Sequence, residues 1–198
     1  MHINRKSLIG PTSSAQLDGE ELEHTGEYKY LGMWLNENLD PSSQWEMVSS
    51  KTLKHLYLIK QLKRAGFAED ILVNIYRSLC LSTIAYSAPL LGACNKQTKQ
   101  EIQHLQHRIL KIIGITDEMA KEKYNISHTT DFIDATCQNI LSRILKDNNH
   151  AITSNLQRTS TRTRSFPFVV PKCRTSEYRD SFLPRTIRQL RDIAAANS

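Results

Sequence analysis

Acidic side chains that could hold metal ions are scattered along this sequence. Nine aspartates stand at 18, 40, 70, 117, 131, 134, 147, 180 and 192, and no two are adjacent. Two-metal chemistry needs carboxylate oxygens that hold both ions a few ångströms apart, usually from clustered acids. Only Asp131 and Asp134 are close in sequence, beside Thr130 at helical spacing, and they read as first-turn acids favoured by a helix dipole. His104 and His107 have a spacing that can bind a metal. No cysteine or carboxylate matches it, and the two read as a solvated helix face shared with Arg108 and Lys111. The cysteines at 80, 94, 137 and 173 form no CxxC pair, which predicts neither a zinc site nor a disulfide framework and makes cytosol or nucleus the default compartment. Nor is there a glycine-rich phosphate loop or a nucleophile elbow.

The cations are more orderly. Residues 1–155 carry 17 basic and 17 acidic side chains, whereas residues 156–198 carry nine basic against three acidic, a net of +6. Eight of those nine are arginines, the side chain best shaped for phosphate. Arg158, Arg162, Arg164, Arg174, Arg179, Arg185 and Arg188 alternate with Phe166, Phe168 and Tyr178. Rings can stack on unpaired bases while arginine grips phosphate. The competing reading is that the aromatics anchor a solubilising tail on the body. A second set, Lys51, Lys54, Lys60, Lys63 and Arg64, lies off the apolar stripe of a helix or at its end; these can meet phosphates or only water.

These residues must be positioned by a mainly helical chain of 198 residues, long enough for one sizeable domain or two small ones. Its apolar content of 39% and charged content of 23% suit an ordinary globular protein. The first 36 residues read as β: Asp18-Gly19 is a hairpin signal, and a third strand is expected over 28–35, giving a small three-stranded antiparallel sheet that needs a body to pack on. Asp40-Pro41 starts a helix with the stripe Trp45, Val48, Thr52, Leu56 and Ile59, closed by Ala65-Gly66. Further helices are expected over 69–86, apolar nearly all round and central, over 96–113 with Gly114 as its stop, and over 129–147 with Phe132, Ile133, Thr136, Ile140 and Ile144 on one face. Cys137 reads as a small core residue beside that face. Residues 151–183 read as an extended loop, and Pro184 opens a short helix. The expected division is 1–36, 37–150 and 151–198. No apolar run has the length of a membrane span, and the first residues lack the hydrophobic stretch of a secretory signal.

Several stretches in order resemble the back end of a non-LTR (LINE-like, jockey-like) retrotransposon reverse transcriptase. Ile3-Asn4 with Lys6-Ser7 is similar to the palm-end segment N-x-x-K-[ST], and Leu17-Asp18-Gly19-Glu20-Glu21-Leu22 to the hairpin L-N-G-x-x-[IL]. Tyr28-Lys29-Tyr30-Leu31-Gly32 resembles the [FY]-K-Y-L-G strand of the primer grip. Residues 45–66 look like the first thumb helix, and Tyr76-Arg77-Ser78-Leu79 with Ala85-Tyr86-Ser87-Ala88-Pro89 like the next. Residues 105–114 resemble the Q-[RK]-x-x-L-R-x-I-x-G segment, and residues 178–187 the closing Y-x-x-S-F-x-P-R-[TA]-[IV].

The resemblance implies a primer grip at Lys29, Tyr30, Leu31 and Gly32, and thumb helices lying along an RNA–DNA hybrid or RNA/DNA duplex. The bare alternative for Leu31 is a core position. Such enzymes hold Mg2+ on a Tyr/Phe-x-Asp-Asp turn, and the likeness begins just after the point where that turn would lie. Fingers and most of the palm are absent from the stretch, so no cofactor and no polymerisation are expected of the chain alone. A helical protein-interaction module co-opted by a host, or a non-functional relic, are the competing readings. If the sheet has lost its palm, Tyr28, Tyr30, Met33 and Trp34 should expose apolar surface.

Overall fold

The computed structural model describes residues 16–18, 20–21, 25–38, 40–159 and 166–196. The protein is mainly α, with a small antiparallel β segment before the helices. That segment is two separate hairpins rather than one three-stranded sheet. β1 (Gln16–Leu17) pairs with β2 (Glu20–Glu21), and β3 (Glu27–Tyr30) with β4 (Met33–Asn36). The strand expected over 28–35 is broken because Leu31 and Gly32 both have positive φ, 47° and 83°. Two consecutive left-handed residues make the tight turn whose twist suits a two-residue hairpin loop.

Hydrogen bonds fasten the second hairpin to the first long helix, α1 (Ser42–Arg64). Asn36 is buried and donates to Asp40 Oδ2 at 3.0 Å, while the Asp40 amide donates back to Asn36 Oδ1 at 3.0 Å. Asp40 Oδ1 accepts the Ser42 amide at 2.8 Å, although the N-cap position falls one residue later, on Pro41, which makes no side-chain cap bond. Burial works to raise the Asp40 pKa, but the hydrogen bonds from Ser42 and Asn36 outweigh it and hold the carboxyl below its usual value. Within the first turn of α1, the buried Gln44 accepts the Trp34 amide at 2.8 Å and donates to Ser87 Oγ at 2.6 Å.

The region expected as one helix over 69–86 runs on to 91, as α2 (Glu69–Ile75), a π segment (Tyr76–Leu81) and α3 (Ser82–Leu91). Ser78 and Thr83 hydroxyls donate to the carbonyls of Asn74 and Leu79, at 2.8 and 2.7 Å, the i−4 back-bonding that hydroxyl side chains make inside helices. α4 (Lys96–Ile113) has the expected bounds: Asn95 caps it through the Thr98 amide at 2.8 Å, and Gly114 ends it at φ 99°. A short α5 (Asp117–Glu122), capped by Thr116, adds to the expected helices.

α6 (Thr129–Lys146) begins where the side chains of Gln103 and Gln106 accept the Thr129 amide, at 3.1 and 2.8 Å. Its fully buried seam is Thr129, Ile133, Cys137 and Leu141, while Phe132, Thr136, Ile140 and Ile144 flank it half-buried. The expected stripe is rotated because α6 packs on α3 on one side and on the last helix on the other. The expected loop over 151–183 contains α7 (Ala151–Asn155), α8 (Ser176–Asp180) and a bridge between Arg158 and Phe168. α9 (Phe182–Ala196) closes the chain on α6.

Two adjoining apolar clusters fill the interior. One centres on Ile59, Leu72, Val73, Ile109 and Ile113, the other on Val48, Ile84, Leu91, Ile102 and Ile133. Trp45 and Phe132 touch both.

Candidate nucleic-acid interface

α1 presents the clearest set of cations. Its buried seam is Val48, Thr52 and Ile59, and Lys51, Lys54, Lys60 and Arg64 are exposed around the rest of its circumference. Among the described residues no hydrogen bond or ion pair holds any of the four side chains. They do not form one stripe: Lys51 and Lys60, nine residues apart, point about 180° from one another around the axis. Lys54 stands on the outward side with Ser50, Leu53 and Tyr57, where these residues, Glu46 and Trp45 line an open groove. Tyr57 is 64% exposed. The stripe of α1 read from the sequence leaves out Leu53 and Tyr57, although their i, i+4 spacing opposite that stripe is a signal for an exposed apolar pair.

Two other residues of this helix do different work. Lys63 donates from Nζ to the Ile113 carbonyl at 2.7 Å and so caps α4 from outside. His55 sits half-buried beside Lys51 with its Nδ1 unbonded. Burial and the neighbouring Lys51 charge hold its pKa below that of a free imidazole.

At the hairpin, Lys29 and Tyr30 are exposed. Leu31 corrects the core reading: at 76% exposure it forms the turn, and its carbonyl accepts the Tyr86 hydroxyl. Gly32 does allow a close approach, but the partner is Tyr86, whose Oη would lie 3.4 Å from a Cβ at position 32. Tyr28 and Tyr30 are exposed as expected, whereas Met33 and Trp34 are half-buried against α1.

The arginine-rich tail divides. Arg174 is exposed and Arg188 half-buried, neither with an acidic partner among the described residues. Arg179 is exposed and paired with Asp180 at 3.2 Å. Arg162 and Arg164 lie outside the described residues. Arg185 is corrected: it is 8% exposed, its guanidinium is held by Asp134, and Nη2 donates to Cys137 Sγ at 3.4 Å. Gly92 makes room for it, since a Cβ there would overlap the guanidinium. A buried, paired arginine offers nothing to phosphate. Phe168 is buried and packs edge-on against Phe166 at 5.9 Å, with the Arg158 guanidinium 5.8 Å above its ring. These two rings therefore anchor the tail rather than wait for bases.

His107 meets Asp117 at 3.1 Å on the surface rather than a metal partner. Among the described residues no three His, Cys, Asp or Glu side chains converge on one point. Asp131 and Asp134, the one close acidic pair of the sequence, do not fit a two-metal centre because Asp134 is committed to Arg185. Among the same residues no helix is long and apolar enough to cross a membrane.

No family model, no curated protein and no solved structure matches the chain.

Proposed function

We propose that the chain is a reverse-transcriptase fragment of the non-LTR retrotransposon kind, a stretch that carries a nucleic-acid-holding thumb and no clustered catalytic aspartates of its own. The observation that carries this reading is the surface of α1. Four cations, with no acidic partner among the described residues, surround a helix whose other face is locked into a core. A phosphate backbone is the ligand such a surface suits, because the contact is sequence-independent and gains from counterion release. The ordered motifs of the sequence add the class of duplex, an RNA–DNA hybrid. Lys29 and Tyr30 would meet one strand near its end, and Lys51, Lys54, Lys60 and Arg64 would meet phosphates. Arg174, Arg179 and Arg188 add a second contact from the tail. With no clustered aspartates the chain extends no primer by itself.

The test is binding of the purified chain to a labelled RNA–DNA hybrid across a salt series. Micromolar or tighter binding at low salt that weakens linearly on a log–log plot supports the reading. Leu53, Tyr57 and Leu58, all more than 40% exposed on α1, favour a protein partner as the second reading. Salt-tolerant capture of a protein, with no hybrid binding, would replace the first reading with that one.

A further inference from the structure

All four residues of β3 are exposed, although β3 lies in a sheet. Its partner β4 is half-buried against α1 on the other side. Among the described residues no strand pairs with the outer edge of β3. A two-stranded ribbon is marginal by itself, and an open edge is a template for another strand.

The register shows which groups that edge offers. Glu27 pairs with Asn36, Tyr28 with Leu35, Lys29 with Trp34 and Tyr30 with Met33. The Glu37 amide donates to the Gly26 carbonyl at 3.0 Å, so the Gly26–Glu37 pair is hydrogen-bonded. Bonded pairs alternate along an antiparallel ladder. Tyr28 and Tyr30 therefore turn their backbone groups inward to β4. Glu27 and Lys29 turn theirs outward to the open edge. The Glu27 carbonyl already accepts the Thr25 hydroxyl and has a second lone pair to offer.

We propose that this edge is a self-pairing site, at which β3 of a second copy of the chain adds antiparallel about a two-fold axis through Tyr28. In that register Glu27 lies opposite Lys29 of the second copy, and Lys29 opposite its Glu27. Both pairs are of the bonded kind, so every outward N–H and C=O on the edge finds a partner. The same register sets opposite charges face to face twice and brings Tyr28 against Tyr28, a favourable aromatic pair. Moving the axis to Glu27 sets like charges opposite, and moving it to Lys29 does the same. The Glu-Tyr-Lys sequence thus selects one register and one partner, itself. The Glu27 carboxylate is held in place by the Ser43 hydroxyl at 2.5 Å, which leaves its other oxygen for lysine. The two-fold operator makes the contact isologous and closes it at two copies.

Lys29 is shared with the proposed nucleic-acid contact, but the self-pairing rests on the strand register and is tested without nucleic acid. Sedimentation velocity of the full chain is measured over a concentration series, beside K29E, E27K and the exchange E27K/K29E. Far-UV circular dichroism confirms that each is folded. The expected result is a concentration-dependent dimer for the original chain. Each single reversal weakens it by about tenfold or more, since two cross-strand pairs turn repulsive. The exchange restores the dimer. Three results overturn the proposal: a folded chain monomeric at all concentrations, a dimer indifferent to K29E, or a dimer lost in both single variants that the exchange does not recover.

Discussion

Cys80, Cys94 and Cys137 are buried, and burial pushes the Cys80 thiol up to about 12 and the Cys94 thiol up to about 11. Only Cys173 is partly accessible among the four. Alkylation of the folded chain at neutral pH should therefore add one label, on Cys173, while unfolding in guanidinium should expose all four; intact-mass spectrometry reads both. Arg185 makes a second test. Truncation to alanine removes the partner of Asp134 and the packing over Gly92, and should cost about 2–3 kcal/mol in denaturant melts. Gly92→Ala should damage the chain by displacing the guanidinium, yet become nearly harmless once Arg185 is alanine. Such non-additivity is the mark of direct contact. His55 gives a pH dependence. Its folded pKa is lowered, so between that value and about 6.5 the unfolded chain binds a proton that the folded chain refuses. Stability is then full above about pH 6.5 and is lost as pH falls from there towards the folded value. The melting temperature of His55→Gln should fall less between pH 7 and pH 5 than that of the original chain. Arg185 also marks the limit of sequence reading at this scale. In a basic tail it looks like one more solvated arginine, because nothing local reveals that Asp134, 51 residues away, and the gap at Gly92 receive it.

At the scale of elements, Gln44 is one of several side chains that fix the hairpin of β3 and β4 to the helices, beside the Asn36, Ser43 and Tyr86 bonds. The fully buried amide of Gln44 joins the Trp34 amide to Ser87. Gln44→Leu keeps the volume but leaves both partners unsatisfied, so each should contribute a destabilisation of about 1–3 kcal/mol. Hydrogen exchange at Trp34 should accelerate more than at the α4 amides. Faster exchange everywhere alike would mean that Gln44 supports the whole core rather than the hairpin. The long helices are legible because stripe and cap agree: Asn95 and Gly114 bracket a clean apolar period, and α4 has the bounds read for it. The break at Leu31 is hidden, since leucine is a poor left-handed residue and only Gly32 hints at a turn. α5, α7 and α8 have five or six residues each, too few for a periodicity. The π segment has six residues, little more than one turn, too few to leave a period of its own in the sequence.

At the scale of the molecule, all the net charge of +6 falls in residues 156–198, but the structure redistributes what that charge can do. α9 covers one side of α6 and sends Arg185 inward, so part of the basic tail is mortar for the fold. Among the described residues, the cations best placed for phosphate lie on α1, at the hairpin and at Arg174 and Arg188. Removing residues 156–198 would uncover the α6 face along with the arginines, so surface substitutions are the cleaner probe. The most direct test of a thumb-like surface is hybrid binding by the full chain and by K51E/K54E/K60E across a salt series. These three lysines leave the core untouched. Binding by the triple variant should be weaker at every salt, and the log–log salt slope should fall by about one for each phosphate that the variant no longer neutralises. A folded triple variant that binds the hybrid with the affinity and slope of the original chain would contradict the proposal that α1 is the nucleic-acid-holding face.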